Sequence, residues 1–193
     1  MSRMASHRWS LGAMTPATVT GPFYPVANRH EGGDLCRPGR RAAGRMLLLG
    51  GRIVDAAGDP APGVRVEIWQ ANAFGRYDHV SDGNPAPLDP NFLGSGAVVT
   101  GADGLYQFCT VVPGSYEVVP GWRRAPHVHF QLTGRCDRHV TQMWFPSEPL
   151  NAQDRLWLAL PPADRERVSA RIDHPGSDTA PCIALFNIVI PNG

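Results

Sequence analysis

The sequence predicts an all-β fold, an antiparallel β-sandwich with long loops, an extended N-terminal arm and one or two short helices. Three observations carry this expectation. Glycine (21) and proline (19) make up about a fifth of the 193 residues and fall between short apolar runs, the punctuation of a chain that turns often. Several runs alternate polar and apolar residues with period two, as half-buried strands do. Links such as Ala102-Asp103-Gly104 and Pro113-Gly114 are too short to join anything but antiparallel neighbours.

Residues 1–45 mix Arg, Gly, Pro and Ala with little periodicity and read as an arm of the same domain. Within it Thr20-Gly21-Pro22-Phe23-Tyr24-Pro25 is a rigid segment, because two prolines fix the backbone around an aromatic pair. Residues 46–193 form the sandwich. Met46 to Asp55 and Val64 to Trp69 read as a strand pair around a turn at Ala56 to Pro60. Asn72 to Gly96 is a long polar segment whose aromatics and prolines favour an ordered loop. Strands are expected at Ala97 to Thr100, Leu105 to Val112, Ser115 to Val119, His127 to Thr133 and His139 to Phe145, with a turn near Gly134 to Asp137. Asn151 to Ile172 is weakly helical and broken by Pro161-Pro162, and Cys182 to Ile190 closes the chain as a buried strand.

A length of 193 residues suits one domain. A hydrophobic share of 42% and a net charge of +1 argue against disorder and against nucleic acid as a partner, leaving a small molecule. Cys36, Cys109, Cys136 and Cys182 are widely spaced, with no C-x-x-C pair, so reduced thiols are expected. Arg3, His7 and Arg8 precede no apolar stretch of signal-peptide length, and no run approaches the roughly 20 residues of a membrane span. A cytoplasmic protein without a membrane partner is the expectation.

The chemistry concentrates between Ser115 and Leu132. On a strand, His127 and His129 project from one face with Val128 turned away, so two imidazoles can share a metal. Tyr116 lies upstream across a Pro-Gly turn, and Arg124 sits beside the histidines. Without a nearby Cys or a clear third His, structural zinc is disfavoured; phenolate is a hard anionic donor that suits a trivalent ion. A phenol with a reference pKa of about 10 ionises near neutral pH only beside a strong cation. Two other readings stand beside this one: a zinc hydrolase using His127, His129 and a carboxylate such as Asp78 or Glu117, and a non-catalytic module, since Gly51 to Asp55, Gly104 to Phe108 and Pro113 to Tyr116 resemble transthyretin (prealbumin)-like domains.

Glu67-Ile68-Trp69-Gln70-Ala71-Asn72, Gly75-Arg76-Tyr77, Pro87-Leu88-Asp89-Pro90-Asn91-Phe92, Arg124-Ala125-Pro126-His127-Val128-His129-Phe130 and Gln142-Met143-Trp144-Phe145, with the Thr20 to Tyr24 and Pro113 to Tyr116 segments, resemble the intradiol ring-cleavage dioxygenases, close to the protocatechuate 3,4-dioxygenase subunits. The resemblance runs from about Thr20 to Ile190. It implies one non-haem Fe(III) per chain held by Tyr77, Tyr116, His127 and His129, with Tyr77 the axial ligand that leaves when substrate arrives. It implies that Arg124 stabilises electron-rich substrate and that Gln142 supports the site. Gly21 and Pro22 match a segment over the substrate pocket, to which Tyr24 and Arg123 are added as candidates. The implied reaction cleaves a catechol-type ring with O2, between the hydroxylated carbons, to a cis,cis-muconate-type diacid. The chain lacks room for the helical N-terminal region of catechol and hydroxyquinol relatives, which favours the protocatechuate-like branch and an oligomer, homomeric or with a second related subunit. The segment between Tyr116 and His127 is about two residues shorter than in β-type subunits, which bears on contacts to the ring substituent.

Overall fold

A computed structural model describes residues 13–26, 30–134, 138–173 and 180–191. Cys136, the basic residues near the N-terminus and most of the expected turn at 134–137 lie outside them.

Two sheets pack face to face. One comprises β2 (Arg65–Trp69), β3 (Ser95–Val99), β7 (His127–Thr133) and β8 (His139–Trp144) in the order β3-β2-β7-β8, antiparallel throughout. The other is built on β1 (Met46–Val54), with β4 (Leu105–Val111) on one edge and β10 (Cys182–Leu185) and β11 (Ile188–Val189) in succession on the other; β9 (Arg171–Asp173) closes it. A hairpin of β5 (Tyr116–Val119) and β6 (Trp122–Arg124) stands apart from both sheets.

Alternation along each strand places the core. Leu47, Leu49 and Ile53 of β1 meet Val128, Phe130 and Leu132 of β7, all with no solvent exposure. Burial of side chains of this size contributes about 1.5–3 kcal/mol each, which sets the register. The pairing of β1 with β10 and β11 is parallel, a departure from the all-antiparallel expectation. The chain returns to β1 only after the long path through the helices, so hairpin geometry no longer dictates direction. The C-terminal run is also two short strands with alternating burial, leaving Ile183 and Leu185 on the outside. Residues 149–172 form a 3₁₀ turn (Pro149–Gln153), α1 (Arg155–Ala159) and α2 (Pro162–Arg167), the last opened by proline at its first turn. Cys36 and Cys182 are buried, Cys109 is half-buried, and all three are free thiols. No helix among the described residues is long and apolar enough to cross a membrane.

The arm covers the outer face of the first sheet, β3-β2-β7-β8. Thr18 N–H donates to Val140 O at 2.8 Å, the Thr141 hydroxyl donates to Pro16 O at 2.8 Å, and Thr15 exchanges hydrogen bonds with Val189. That cover keeps both faces of β7 dry, so all but the last of its residues are buried.

Candidate metal centre

The outer face of β2, β7 and β8 carries the polar side chains that the core face excludes. Register pairs His129 with Trp69 and with Gln142, and His127 with Trp144. The Trp69 indole stacks on the His129 ring at 4.8 Å and 10°, and Trp144 lies 6.2 Å from the His127 ring. The imidazoles are held between aromatic rings.

Tyr77 arrives from the loop after β2, whose fold is set by one residue. The Asn72 amide oxygen accepts the N–H groups of Phe74 and Arg76, its NH2 donates to Pro87 O, and Asp82 accepts the Tyr77 N–H at 2.7 Å. Tyr116 arrives from β5. These segments touch through two glycines: a Cβ on Gly75 would fall 2.3 Å from the Ser115 carbonyl oxygen, and one on Gly114 would fall 2.5 Å from the Gly75 nitrogen. Gly75 also adopts φ +84°, a region disfavoured for L side chains. The phenols consequently meet edge to face, with ring centres 5.5 Å apart.

Three donor atoms converge. His127 Nε2 lies 3.1 Å from His129 Nε2 and 3.3 Å from the Tyr77 hydroxyl. A carbonyl only accepts, so the 2.6 Å contact between His127 Nδ1 and Ala125 O puts the proton on Nδ1 and leaves Nε2 with a lone pair. One lone pair cannot serve two neighbours as a hydrogen-bond acceptor. Donors about 3 Å apart are what roughly 2 Å bonds to a shared cation produce. The Tyr116 ring centre is 5.8 Å from that of His127, on the same cluster.

Burial, then the Arg124 charge, holds the His127 imidazole well below its usual range, against the hydrogen bond to Ala125. Burial, then His127 and Arg124, does the same for His129. Burial, reinforced by Tyr116, pushes the Tyr77 phenol well above its ordinary value; burial raises Tyr116 as well, with Arg124 opposing. The metal-free cluster therefore holds two neutral imidazoles and two protonated phenols, and a strong cation is needed to ionise the phenols. These residues fit a ferric ion, whose hard Lewis acidity suits phenolate oxygen.

Arg124 is buried beneath the donors. Its Nε donates to Asp154 at 2.9 Å and its Nη2 to Gln142 Oε1 at 2.6 Å, while Gln142 Nε2 donates to Val19 O of the arm. Gly21, at φ +75°, lies directly over His129: a Cβ there would sit 3.2 Å from His129 Cε1. Pro22 follows on the exposed side of the strap, and the next ring, Phe23, packs 4.7 Å from Tyr77.

Two residues expected at the substrate pocket are placed elsewhere. Arg123 points away from Arg124 by the alternation of β6; it is exposed and donates to the Ser115 hydroxyl. The Tyr24 hydroxyl is taken up by Gln131 at 2.9 Å and Glu67 at 3.3 Å, so Tyr24 anchors the strap. The carboxylates of the zinc reading make no hydrogen bond or ion pair with the histidines: Asp78 is exposed, and Glu117 caps its own hairpin by accepting the Gly121 N–H. Among the described residues no group of three or more His, Cys, Asp or Glu is placed to hold a metal. A packing role for the cluster, as in a transthyretin-like module, leaves the doubly approached His127 lone pair unexplained.

Sequence reasoning missed Phe23, Trp69, Trp144 and Asp154. The two tryptophans carried a readable signal in their strand alternation, Trp69 lying two residues from Glu67 and Trp144 two residues from Gln142. Asp154 carried none, because nothing local ties it to Arg124.

A family model described as dioxygenase matches residues 19–190. The β chain of protocatechuate 3,4-dioxygenase from Burkholderia cepacia is 46% identical over 132 residues, covering 66% of this chain and 56% of that protein. Hydroxyquinol 1,2-dioxygenase from Rhizobium sp. is 39% identical over 169 residues, covering 79% and 54%. The chain thus spans little more than half the length of these curated relatives. The dioxygenase domain of a dioxygenase and carbohydrate-binding fusion from Streptomyces sp. SirexAA-E superposes with a TM-score of 0.72 at 26% identity, over 94% of this chain and 100% of that one. By that match across nearly its whole described length, the chain belongs to the intradiol ring-cleavage dioxygenase family.

Proposed function

We propose that this chain is a non-haem Fe(III) dioxygenase, one iron per chain, that cleaves a protocatechuate-like catechol between its hydroxylated carbons with O2 to give a cis,cis-muconate-type diacid. Tyr77, Tyr116, His127 and His129 would hold the iron. When bound, ferric iron supplies the Lewis acidity that ionises the phenols and the diol. The observation that carries the reading is the convergence of Tyr77, His127 and His129 within 3.3 Å on one buried point, with Tyr116 alongside.

The protein supplies the rest. Tyr77 Oη is the atom suited to take a proton from the incoming diol, since burial makes the phenol the favoured form once its negative charge is no longer balanced. Arg124 presents a fixed positive charge to an anionic ring, held in plane by Asp154 and Gln142 so that it costs no reorganisation. The Gly21 strap and the Trp69 ring exclude water from the His129 side. A relative named as a β chain supports assembly with further subunits.

The test is iron reconstitution followed by metal analysis, a visible spectrum and O2 uptake with protocatechuate, catechol, hydroxyquinol and chlorocatechols. About one iron per chain, a tyrosinate-to-iron band and diol-dependent uptake are expected. Colourless reconstituted protein that consumes no O2 refutes the proposal.

A further inference from the structure

Asp154 is fully buried, and neither the donor set nor the strap accounts for it. One oxygen, Oδ1, caps α1 by accepting the Leu156 N–H at 2.9 Å and lies 3.2 Å from Arg124 Nε as well. A cap of that kind needs a single oxygen and normally faces solvent. Here the other oxygen turns inward. Oδ2 accepts Arg124 Nε–H at 2.9 Å and the Ala125 backbone N–H at 3.1 Å, with the Trp144 indole N–H at 3.5 Å. Burying a carboxylate is costly unless it is paired and hydrogen-bonded, and this one is paired to Arg124.

Two consequences follow for the metal centre. The Arg124 guanidinium is held at both ends, by Asp154 on Nε and by Gln142 on Nη2, so its plane cannot rotate. Ala125 is also gripped twice: its N–H by Asp154, and its carbonyl by His127 Nδ1–H at 2.6 Å. A single carboxylate therefore sets the heading of the cation and, one residue on, that of an imidazole.

We propose that Asp154 is a positioning residue of the site: it aims Arg124 and, through Ala125, holds His127 in the tautomer that leaves Nε2 directed at the metal point. A purely structural Asp154 would act through the α1 cap alone. The kinetic part of the test rests on the dioxygenase reading above; the spectroscopic part does not.

The experiment compares the metal-free full chain with Asp154→Asn and Asp154→Ser by nitrogen-15 NMR at neutral pH. Serine keeps the cap but lacks the reach to Arg124 and Ala125; asparagine keeps the volume but has one oxygen for the four N–H donors of Leu156, Arg124, Ala125 and Trp144. In both variants Arg124 Nε–H exchange with solvent should quicken at least about 10-fold, and His127 should change from one Nδ1–H tautomer to a mixture, because the restraints on both groups are lost. In the iron-loaded protein kcat should fall roughly 10- to 100-fold while KM for the diol moves less than about threefold, as expected for misaligned groups acting in the transition state. A folded Asp154→Ser protein with either NMR signal at its wild-type value overturns the proposal. Wild-type protein that takes up no O2 with any diol refutes the dioxygenase reading, and the NMR comparison still decides the role of Asp154.

Discussion

Gly75→Ala probes the contact that brings the two tyrosines together. The added Cβ would lie 2.3 Å from the Ser115 carbonyl oxygen and 3.1 Å from its carbon, at φ +84°. Two costs add. An L side chain in that backbone region costs about 1–2 kcal/mol. The overlap falls about 1 Å short of an ordinary contact at 3.4 Å, and the atoms met are backbone, so the two segments must part; overpacking of this kind costs about 1–3 kcal/mol. The sum, about 2–5 kcal/mol, corresponds to a Tm drop of roughly 5–15 °C for a domain of this size. Tyr77 is two residues from Gly75 and Tyr116 is adjacent to Ser115, so the parting also separates the phenols. A misplacement of about 1 Å costs on the order of 100-fold in turnover. The assay is calorimetry with O2 uptake, and the control is Gly83→Ala in the same loop, where nothing lies within 4 Å of the new Cβ. Equal Tm and equal turnover in the two variants would refute the close-approach argument.

Gly21→Ala presses on the edge of the His129 ring, which is already stacked against Trp69. Faster iron loss to a competing chelator and about 1–3 kcal/mol less stability are expected; a wild-type release rate counts against the strap. Tyr106 donates to Phe186 O from a buried position, outside the donor cluster, and burial holds its phenol well above the ordinary range. Above the unfolded value of about 10 the unfolded chain loses a proton that the folded chain keeps, so stability present below that pH is lost as pH rises. Tyr106→Phe should reduce the alkaline slope in urea titrations between pH 9 and 11 by an amount that grows with pH, about half a proton at pH 10 and approaching one proton, about 1.4 kcal/mol per pH unit, near pH 11, with the iron band unchanged. An unaltered slope would place that titration elsewhere.

The strands were legible because their signal is local. Val64 to Trp69 and His127 to Thr133 alternate so regularly that burial of one face leaves one register open, and that register alone puts His127 and His129 on a common face. The same alternation separates Arg124 from Arg123, yet two adjacent arginines read alike until β6 exists and turns one of them outward. The loop from Asn72 was recognisable as ordered from its prolines and aromatics, whereas the path that carries Tyr77 to Tyr116 depends on Gly75 meeting Ser115 across 40 residues.

By itself the sequence determined the sandwich, the histidine pair and, through its resemblance to a known family, the four candidate ligands. Tertiary structure alone decided the rest: the parallel return of β10 onto β1, the strap over His129, the outward face of Arg123, and the burial of Asp154 against Arg124. The physical reason is the range of the interactions. Side-chain alternation and turn chemistry act over a few residues and are written in order along the chain, while ion pairs, ring stacking and backbone contacts join residues whose separation in sequence carries no information about their distance in space.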